Sequence, residues 1–546
     1  MLRNFTLAPT LRARLTAVLL TSLAPLALAQ QVGPDANFGT AGTVTTGLTG
    51  PRFNFSSISA GSPVWSVMGQ ALVQPDGKVL VCAADANRWT LRRYLADGTP
   101  DTGFGTGGSV TSTFPAGNAS GLALQPNGQI VVVGGVPGGV GNVWAAARYS
   151  PQGVLDTSFG TNGLAYGSSG TGPSELARVV VLPNGKLLAA ASYDRNYPTR
   201  LVRLLANGQP DNTFVSSGTN SYMGYAYNGM FRDLLVQPDG KILVTTTGFG
   251  NAGGIPITSA RLARYNADGT PDTGFGTNGE VPITGYSTIP GQQNSPRNTA
   301  IHSLALQPDG KILAAGCVDN GQVSGGNAGE NPALFRLNAD GSPDAAFNTA
   351  VAASIRTSLG GGFAAVTLQS DGSIVVGGSF GQQRMLARYS PAGVLDASFA
   401  TVTGYPAGLY VAGTGSIVRT LSTLPNDQLL AWEGVGNTSN GMDMRLTRYT
   451  AARPTALRRS ELALQLLAAP VPTGGPLHLR YTLPAAATPQ ALLRDQLGRT
   501  VATVGGARQA AGPQALELDL QRVAAGSYFL TLEAGPWQQT VRVVKQ

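Results

Sequence analysis

The sequence predicts an all-β fold: a seven-bladed β-propeller closed by an N-terminal strand, followed by a small β-sandwich domain. Three observations predict it. Short hydrophobic runs flank Asp-Gly or Asn-Gly turns along most of the chain, one phrase returns about every 58 residues, and half of that phrase is displaced to the N-terminus. Asp-Gly and Asn-Gly between apolar runs are strong hairpin signals, because both turn residues can adopt positive φ.

The composition of the 546-residue chain fits many strands joined by tight turns. Charged residues make up 12% and there are 73 glycines, fewer charges and more glycine than in an average domain. The hydrophobic fraction of 42% is too high for a disordered chain. The net charge of +8 is concentrated near the N-terminus and after Ala456 rather than in one patch, so we expect no nucleic-acid partner.

Residues 1–29 have the organisation of a signal peptide. Three arginines precede the apolar segment Leu15–Ala29, which ends in a small-residue cleavage site. The alternative is a transmembrane anchor, but a span needs about 20 apolar residues, and this run is shorter and contains Pro25. We therefore expect export, without a transmembrane anchor.

Seven copies of a turn phrase, typified by Gln-Pro-Asp-Gly-Lys, divide residues 30–450 into repeats. A second turn follows each copy about twenty residues later, so each repeat supplies two hairpins, or about four strands. Four short strands at a long period are typical of a propeller blade, whereas the alternative, a β-solenoid, has coils of roughly 20–30 residues. The copies are Gln74–Lys78, Gln125–Gln129, Leu182–Lys186, Gln237–Lys241, Gln307–Lys311, Gln369–Ser373 and Leu424–Gln428.

An arginine and an Asp-x-x-Phe motif recur with the repeats, but the two are out of step. After Arg448 the Asp-x-x-Phe motif is missing, whereas an orphan copy occurs at Asp35 and Phe38. A ring explains this, because the N-terminal segment would complete the last blade and leave no exposed sheet edge. The other arginines are Arg93, Arg148, Arg203, Arg264, Arg336 and Arg388, and the other aspartates are Asp101, Asp156, Asp211, Asp272, Asp344 and Asp396.

The arginine precedes the aspartate by eight residues in six consecutive repeats. Residues at equal distances from a hairpin turn face each other, so we expect an Arg–Asp ion pair in each blade. The seventh pair would join Arg448 to Asp35 across the closure. The alternative is a ring of charges that binds a ligand. Recurrence in every blade favours the structural interpretation, because binding sites usually break the symmetry of a repeat.

The phrases Leu304–Gly316 ("LALQPDGKILAAG") and Leu262–Gly279 ("LARYNADGTPDTGFGTNG") resemble the delta-60 repeat family of exported bacterial proteins, over about residues 33–450. The resemblance implies a repeat architecture and no particular enzyme class.

The last ninety residues resemble a different family. The Asp-x-x-Gly-Arg motif at Asp495–Arg499, the run Leu518–Tyr528 and the final basic strand ending at Lys545 are similar to the type A C-terminal sorting domain of the type IX secretion system. The usual Pro-Asn-Pro opening is altered, with Val471 where Asn is expected. The resemblance implies delivery by the type IX machinery, as a partner, to the outer surface of a Gram-negative bacterium or to the medium.

The predicted domains are therefore a signal peptide (1–29), a delta-60 repeat propeller (30–450), a linker (451–460) and a sorting domain (461–546). The predicted function is a non-catalytic secreted or cell-surface scaffold that binds a protein or a glycan. The alternative is a secreted polysaccharide hydrolase or lyase that uses carboxylates in the propeller funnel, for which Glu280 and Glu330 are the obvious acids outside the repeat pattern.

We predict no catalytic, cofactor-binding or metal-binding residues. His302 and His478 have no sequence neighbours that suggest a triad or metal cluster, so both are interpreted as structural. Gly377–Gly381 fits Gly-x-Ser-x-Gly, but a nucleophile elbow lies between a strand and a helix, and the repeat predicts strand–turn–strand here. Cys82 and Cys317 are expected to be buried free thiols rather than a disulfide.

Three segments interrupt the repeat, and loops on a rigid scaffold are where function tends to lie. Their tyrosines, Tyr222, Tyr225 and Tyr227, could stack on sugar rings; the alternative is an adaptable surface loop. The segments are Val215–Met230, Ser287–Thr299 and Val318–Pro332.

Overall fold

The computed structural model forms two compact units, one of Gln31–Ala451 and one that includes Ala452–Gln546. The predicted signal peptide, the linker and the three tyrosines of Val215–Met230 lie outside the described residues. Among the described residues no helix is long and apolar enough to cross a membrane. The structure describes residues 32–51, 69–85, 88–114, 117–138, 141–167, 174–193, 200–214, 229–252, 255–283, 299–319, 330–354, 361–436, 441–450, 464, 466–469, 473, 475–483, 486–495, 500–535 and 537–545.

The described part of the larger unit contains six antiparallel sheets, whose strands we divide into seven groups called repeats 1 to 7. The strands of repeats 7 and 1 share one eight-stranded sheet through β1 (Thr43–Pro51). Repeats 1 to 3 contain β2 (Gln70–Val73), β3 (Val79–Asp85), β4 (Arg88–Tyr94) and β5 (Ser109–Thr111); β6 (Asn118–Leu124), β7 (Ile130–Gly138), β8 (Gly141–Tyr149) and β9 (Leu164–Gly167); and β10 (Ser174–Val181), β11 (Leu187–Tyr193) and β12 (Arg200–Leu204). Repeats 4 and 5 contain β13 (Gly229–Val236), β14 (Ile242–Ala252), β15 (Ile255–Tyr265) and β16 (Glu280–Ile283); and β17 (Thr299–Leu306), β18 (Ile312–Asp319) and β19 (Glu330–Leu337), followed by α1 (Ala345–Ser354). Repeats 6 and 7 contain β20 (Gly361–Leu368), β21 (Ile374–Phe380), β22 (Gln383–Tyr389) and β23 (Leu409–Thr414); and β24 (Ser416–Thr423), β25 (Leu429–Gly436) and β26 (Gly441–Tyr449).

The turn phrases form the predicted hairpins. In repeat 5 the amide of Gln307 donates to the carbonyl of Lys311 at 2.9 Å, and Gly310 has φ of 83°. This conformation favours glycine, since it has no Cβ to clash. The turn thus fixes the register of β17 and β18 and, in the other repeats, of the two equivalent strands.

The N-terminal strand pairs with the last repeat, as its orphan motif predicts. β1 runs antiparallel to β26, with Thr43 opposite Thr447 and Val44 opposite Leu446. It therefore supplies repeat 7 with its fourth strand from the other end of the chain.

Repeat 5 departs from the expected four strands, because its fourth element is the helix α1. The repeats with a fourth strand have glycine soon after the phenylalanine of Asp-x-x-Phe, whereas this one reads "DAAFNTAVAAS". Alanine favours helix and no glycine interrupts it. Asp344 caps the helix by accepting a hydrogen bond from the amide of Phe347 at 3.3 Å. The side chains of Phe347 and Val351 form the buried face of the helix.

The first strands of the seven repeats contact one another in chain order, and β24 of repeat 7 also contacts β2 of repeat 1. Neighbouring sheets pack face to face: one core cluster combines Leu80 and Leu91 of repeat 1 with Leu122 and Ile130 of repeat 2. The alternating side chains of each strand thus fill the space between adjacent sheets.

The C-terminal unit is a small β-sandwich. Its two sheets have the orders β27-β28-β31 and β30-β29-β32-β33. Leu477 and Leu479 from one sheet share a core with Leu493, Leu530 and Val543 from the other. Most of the Asp-x-x-Gly-Arg motif lies outside the described residues. The strands are β27 (Leu467–Ala469), β28 (Leu477–Leu483), β29 (Pro489–Arg494), β30 (Thr500–Gly505), β31 (Gly512–Leu518), β32 (Gly526–Ala534) and β33 (Trp537–Lys545).

Candidate functional site

The recurring arginine and aspartate form an ion pair in every repeat, and this prediction is confirmed. In each pair the shortest nitrogen–oxygen distance lies between 2.6 and 2.9 Å. The pair that joins Arg448 to Asp35 falls in the same range. The seven pairs are Arg93–Asp101, Arg148–Asp156, Arg203–Asp211, Arg264–Asp272, Arg336–Asp344, Arg388–Asp396 and Arg448–Asp35.

The arginines make two further contacts that the spacing does not reveal. All seven stack on the phenylalanine of their own motif, and among the described residues six of them donate to a turn carbonyl of the next repeat. The guanidinium carbon of Arg203 lies 4.4 Å from the ring centroid of Phe214, the phenylalanine of its own Asp-x-x-Phe motif. Its Nη1 donates to the carbonyl of Ala267, in a turn of the next repeat, at 2.6 Å. Arg448 of repeat 7 makes the same contact with Ala96 of repeat 1. The arginine therefore fastens one repeat to the next.

The lysine of the turn phrase completes this arrangement. Lys311 donates to Asp344 at 2.8 Å. Its hydrogen bond, helped by Arg336, lowers the pKa of Asp344 to about 2. The Asp-Gly turn aspartates are used locally: Asp268 accepts from the amide of Thr270 at 2.9 Å. The charged side chains of the repeat are thus engaged with one another and with turn amides.

The other residues considered from the sequence occupy structural positions. Ser379 is fully buried in β21, which a turn connects to β22 rather than to a helix. Cys82 and Cys317 are buried free thiols, as expected. His478 is exposed, 3.4 Å from Glu517.

The two candidate carboxylates of the alternative function are not brought together by any described contact. Glu280 accepts from Arg261 at 3.1 Å, and the side chain of Glu330 lies outside the described residues. In the described part of the chain, no three His, Cys, Asp or Glu side chains are grouped for a metal ion.

A buried carboxylate in repeat 7 was not singled out from the sequence. Glu433 is fully buried and accepts from Arg445 at 2.6 Å, Thr447 at 2.9 Å and Tyr449 at 2.6 Å. Arg384 of repeat 6 reaches the same carboxylate at 3.2 Å. Burial and this carboxylate raise the pKa of Tyr449 well above its usual value. With four donors around it, Glu433 is a structural anchor between repeats 6 and 7.

A β-bulge recurs in six of the first strands. The residue type at the bulge position differs from repeat to repeat. In β13, Phe231 faces Thr246 and Asp233 faces Thr245, so the backbone register of the two strands skips Arg232. Bulges re-aim side chains and are common beside functional sites. The six bulge residues, each five positions before its turn phrase, are Ser120, Ala177, Arg232, His302, Ala364 and Arg419.

Three of these residues, Arg232, His302 and Arg419, are basic, and we call them the basic bulge cluster. Arg232 Nε donates to Thr247 Oγ1 at 3.2 Å, and His302 Nε2 lies 3.7 Å from Cys317 Sγ. Arg419 Nη2 lies 3.3 Å from the sulfur of Met442. Each side chain is therefore held against the second or third strand of its own repeat.

The cluster is electropositive, and its histidine is neutral. Burial, together with the charges of Arg232 and Arg419, lowers the pKa of His302 to about 3. Burial lowers the pKa of Arg419 to about 9, which leaves it charged at neutral pH. A histidine with so low a pKa is a weak general base at neutral pH.

Comparison with known proteins identifies the repeat. Six segments match the profile of a family described as a beta-propeller domain of unknown function (DUF5122). The chain is a β-propeller-like repeat protein. The matched segments are 74–104, 125–159, 182–214, 237–275, 307–347 and 369–399.

Each matched segment of this propeller-like protein begins at a turn phrase and ends at the phenylalanine of Asp-x-x-Phe. The seventh repeat has the same parts, but they are divided between its own turn phrase at Leu424 and the distant Asp35 and Phe38. A linear profile spans a contiguous segment, so the split accounts for six matches rather than seven. No curated protein sequence matches the chain.

Several solved structures are similar to the chain at low sequence identity. Polysaccharide lyase Uly1 has 10% identity and a TM-score of 0.41, covering 73% of this chain and 92% of that chain. A PL25 ulvan lyase bound to -[GlcA(1-4)Rha3S]- has 12% identity and a TM-score of 0.42, covering 74% and 95%. Drosophila Plexin A in complex with Semaphorin 1b has 12% identity and a TM-score of 0.38, covering 72% and 86%.

Proposed function

We propose that the chain is an exported, closed seven-bladed propeller that serves as a non-catalytic binding scaffold for an extracellular glycan or protein. The observation that carries the proposal is a contrast between two sets of charges. The arginines and aspartates of the repeat are engaged with one another, whereas the basic bulge cluster interrupts the repeat where the first strands meet. Binding sites on repeat scaffolds are expected at such departures.

The closed ring is supported by contacts between the two ends of the larger unit. β1 pairs with β26, β24 contacts β2, and Arg448 reaches both Asp35 and the turn carbonyl of Ala96. Contacts between first strands also occur between successive internal repeats, and five internal arginines make the same hydrogen bond to a turn of the next repeat. Interactions of the same kind would therefore join all seven repeats. A rigid ring would hold the cluster in place for a ligand.

Delivery by the type IX secretion machinery belongs to the same proposal. It is supported by the resemblance of the C-terminal sequence and by the independent sandwich that this sequence forms. The mature protein would then be released or attached to the outer cell surface.

A glycan array probed with the full chain tests the proposal, together with a reducing-end assay on the glycans that bind. Saturable binding without cleavage is the expected result. Cleavage of a bound polysaccharide would contradict the proposal of a non-catalytic scaffold and support the alternative of a hydrolase or lyase. Absence of binding to glycans and to surface proteins would overturn the scaffold.

A further inference from the structure

Residues 32–51, which we call the closing segment, occupy a well-formed site on repeat 7. The amide of Asp35 donates to the carbonyl of Arg448 at 2.8 Å, and the side chains of the same two residues form the ion pair described above. Phe38 and Leu48 of the segment are buried in a core cluster with side chains of repeats 7 and 1. Backbone hydrogen bonds, an ion pair and apolar burial thus hold the segment in one register.

Repeat 7 differs from the other repeats in how its fourth strand is attached. In repeat 1 the chain passes directly from β4, which ends at Tyr94, to β5, which begins at Ser109. The fourth strand of repeat 7 is β1, and residues 52–68 connect it to repeat 1 instead of to β26. A connection of that length spans up to about 60 Å when it is extended. The closing segment is therefore held on β26 by noncovalent contacts alone.

The contacts of the closing segment are the same whichever copy of the chain supplies it. Besides those with repeat 7, the amide of Gly39 donates to the carbonyl of Asp97 at 2.7 Å, and Thr49 lies opposite Ala84, both on repeat 1. All of these partners belong to the scaffold that receives the segment. Pairing within one chain and pairing between two chains therefore differ mainly in the effective concentration of the segment, which is on the order of millimolar for tethered elements.

We propose that copies of this chain exchange their closing segments, so that β1 of each copy pairs with β26 of the other in a reciprocal dimer. Exchange of an identical element links two copies without a new interface, and reciprocity leaves neither β26 edge unpaired. The exchange takes place during folding, before β1 has paired with β26 of its own chain, and crowding of copies favours it. The inference rests on the pairing of β1 with β26 and not on the binding of any ligand.

Two exposed residues that lie opposite each other, Thr49 on β1 and Asp443 on β26, can report the exchange. Opposite residues of antiparallel strands are close enough for a disulfide. Full chains that carry either T49C or D443C are mixed in urea, diluted together into native buffer and oxidised, and mass spectrometry identifies the linked peptides. A dimer linked through T49C and D443C is expected. While it is rare, its fraction should rise about tenfold for a tenfold rise in chain concentration, because exchange is bimolecular.

Three controls define the background. The double variant T49C/D443C should form the disulfide within one chain at low concentration, which checks both refolding and the strand register. T49C mixed with N426C measures disulfides formed by collision, because Asn426 is exposed in the turn before β25, at the other end of the sheet from Asp443. T49C and D443C chains that are folded separately and then mixed have no opportunity to exchange, so their linked fraction should fall to that background.

A linked dimer no more abundant than the background, while the double variant forms its internal disulfide, would overturn the exchange. Loss of the internal disulfide in a folded double variant would contradict the strand pairing on which the exchange rests. Light scattering of the linked fraction should give twice the mass of one chain, and larger assemblies would contradict the reciprocal arrangement. If circular dichroism shows that dilution from urea does not restore the fold, co-expression of the two single variants replaces the refolding step, with the same expected dimer and the same controls.

Discussion

Arg448 donates to Asp35 at 2.9 Å, although the two residues are separated by 413 positions in the chain. Both side chains are mostly buried. The pair has the same geometry as Arg203 and Asp211, which belong to one repeat. The contact that orders an internal repeat therefore also links the two ends of the larger unit.

If the ring is closed, replacing Arg448 of the last repeat by alanine should destabilise the chain as much as replacing the arginine of an internal repeat. We expect R448A and R203A to lower the free energy of unfolding by similar amounts, about 3 kcal/mol, because each removes the arginine partner of a buried carboxylate. Urea denaturation of both variants measures this. A loss below about 1 kcal/mol for R448A alone, the size typical of an exposed pair, would show that the ends are not joined in solution.

Repeat 6 lacks the lysine of the turn phrase and has Ser373 in its place. Asp396 of this repeat is more exposed than Asp344, which has Lys311 as a partner. We expect S373K to supply the missing contact and to stabilise the chain by about 0.5–1 kcal/mol, the range for a partly exposed pair. K311M should destabilise the chain by a similar amount. Thermal melts at low and high salt check both, since salt should reduce each effect. No change in either variant would mean that the lysine contributes nothing to stability.

The neutral His302 predicts a pH dependence of stability. Its pKa is about 3 in the folded chain, below the 6.5 of an ordinary histidine, so the unfolded chain binds a proton that the folded chain does not. Stability should therefore fall as the pH drops from about 6.5 toward 3, by about 2 kcal/mol between pH 7 and pH 5. H302Q should remove this slope above pH 5, where carboxylates do not yet titrate. Urea midpoints at several pH values measure it, and an equal slope in H302Q would refute the assignment.

The charge of the basic bulge cluster predicts an unusual response to a carboxylate at the partly buried Ala364. A carboxylate placed among largely buried side chains normally destabilises a protein. Ala364 occupies the same bulge position on β20, the strand that lies between those of His302 and Arg419, so we expect A364E to keep or raise the melting temperature. A365E is the matched control, because Ala365 is buried next to it and should tolerate the charge poorly. Equal destabilisation of the two variants would argue against a concentration of positive charge at Ala364.

The repeated part of the molecule could be predicted from the sequence because the same motifs recur at the same spacing in successive repeats. The eight-residue spacing predicts the ion pair of Arg264 with Asp272, and the orphan Asp35 predicts the pairing of the N-terminal strand. The contact of Arg264 with the carbonyl of Ala339 could not be predicted in this way. A backbone acceptor has no side-chain signature, and the separation from the arginine differs between repeats.

Elements that occur once were harder to predict. Helix α1 replaces a strand because a few alanines stand where glycine is usual, which propensity alone signals weakly. Glu433 on β25 gains its hydrogen-bond donors only when β22 and β26 lie next to it in the folded chain. The basic bulge cluster did leave a signal: Arg232, His302 and Arg419 all lie five residues before their turn phrases. Aligning the repeats on those phrases places the three residues in one column, whereas His302 taken alone has no evident partner.

The strand that completes repeat 7 is made first, and the strand it pairs with is made last among the seven repeats. Until both are present, β26 has one edge without its backbone partner, and such an edge favours association with other chains. Assembly of this sheet therefore depends on contacts of very high sequence separation, which form slowly. A chain that lacks either β1 or β26 would keep an unpaired sheet edge, so we expect such a chain to aggregate more readily.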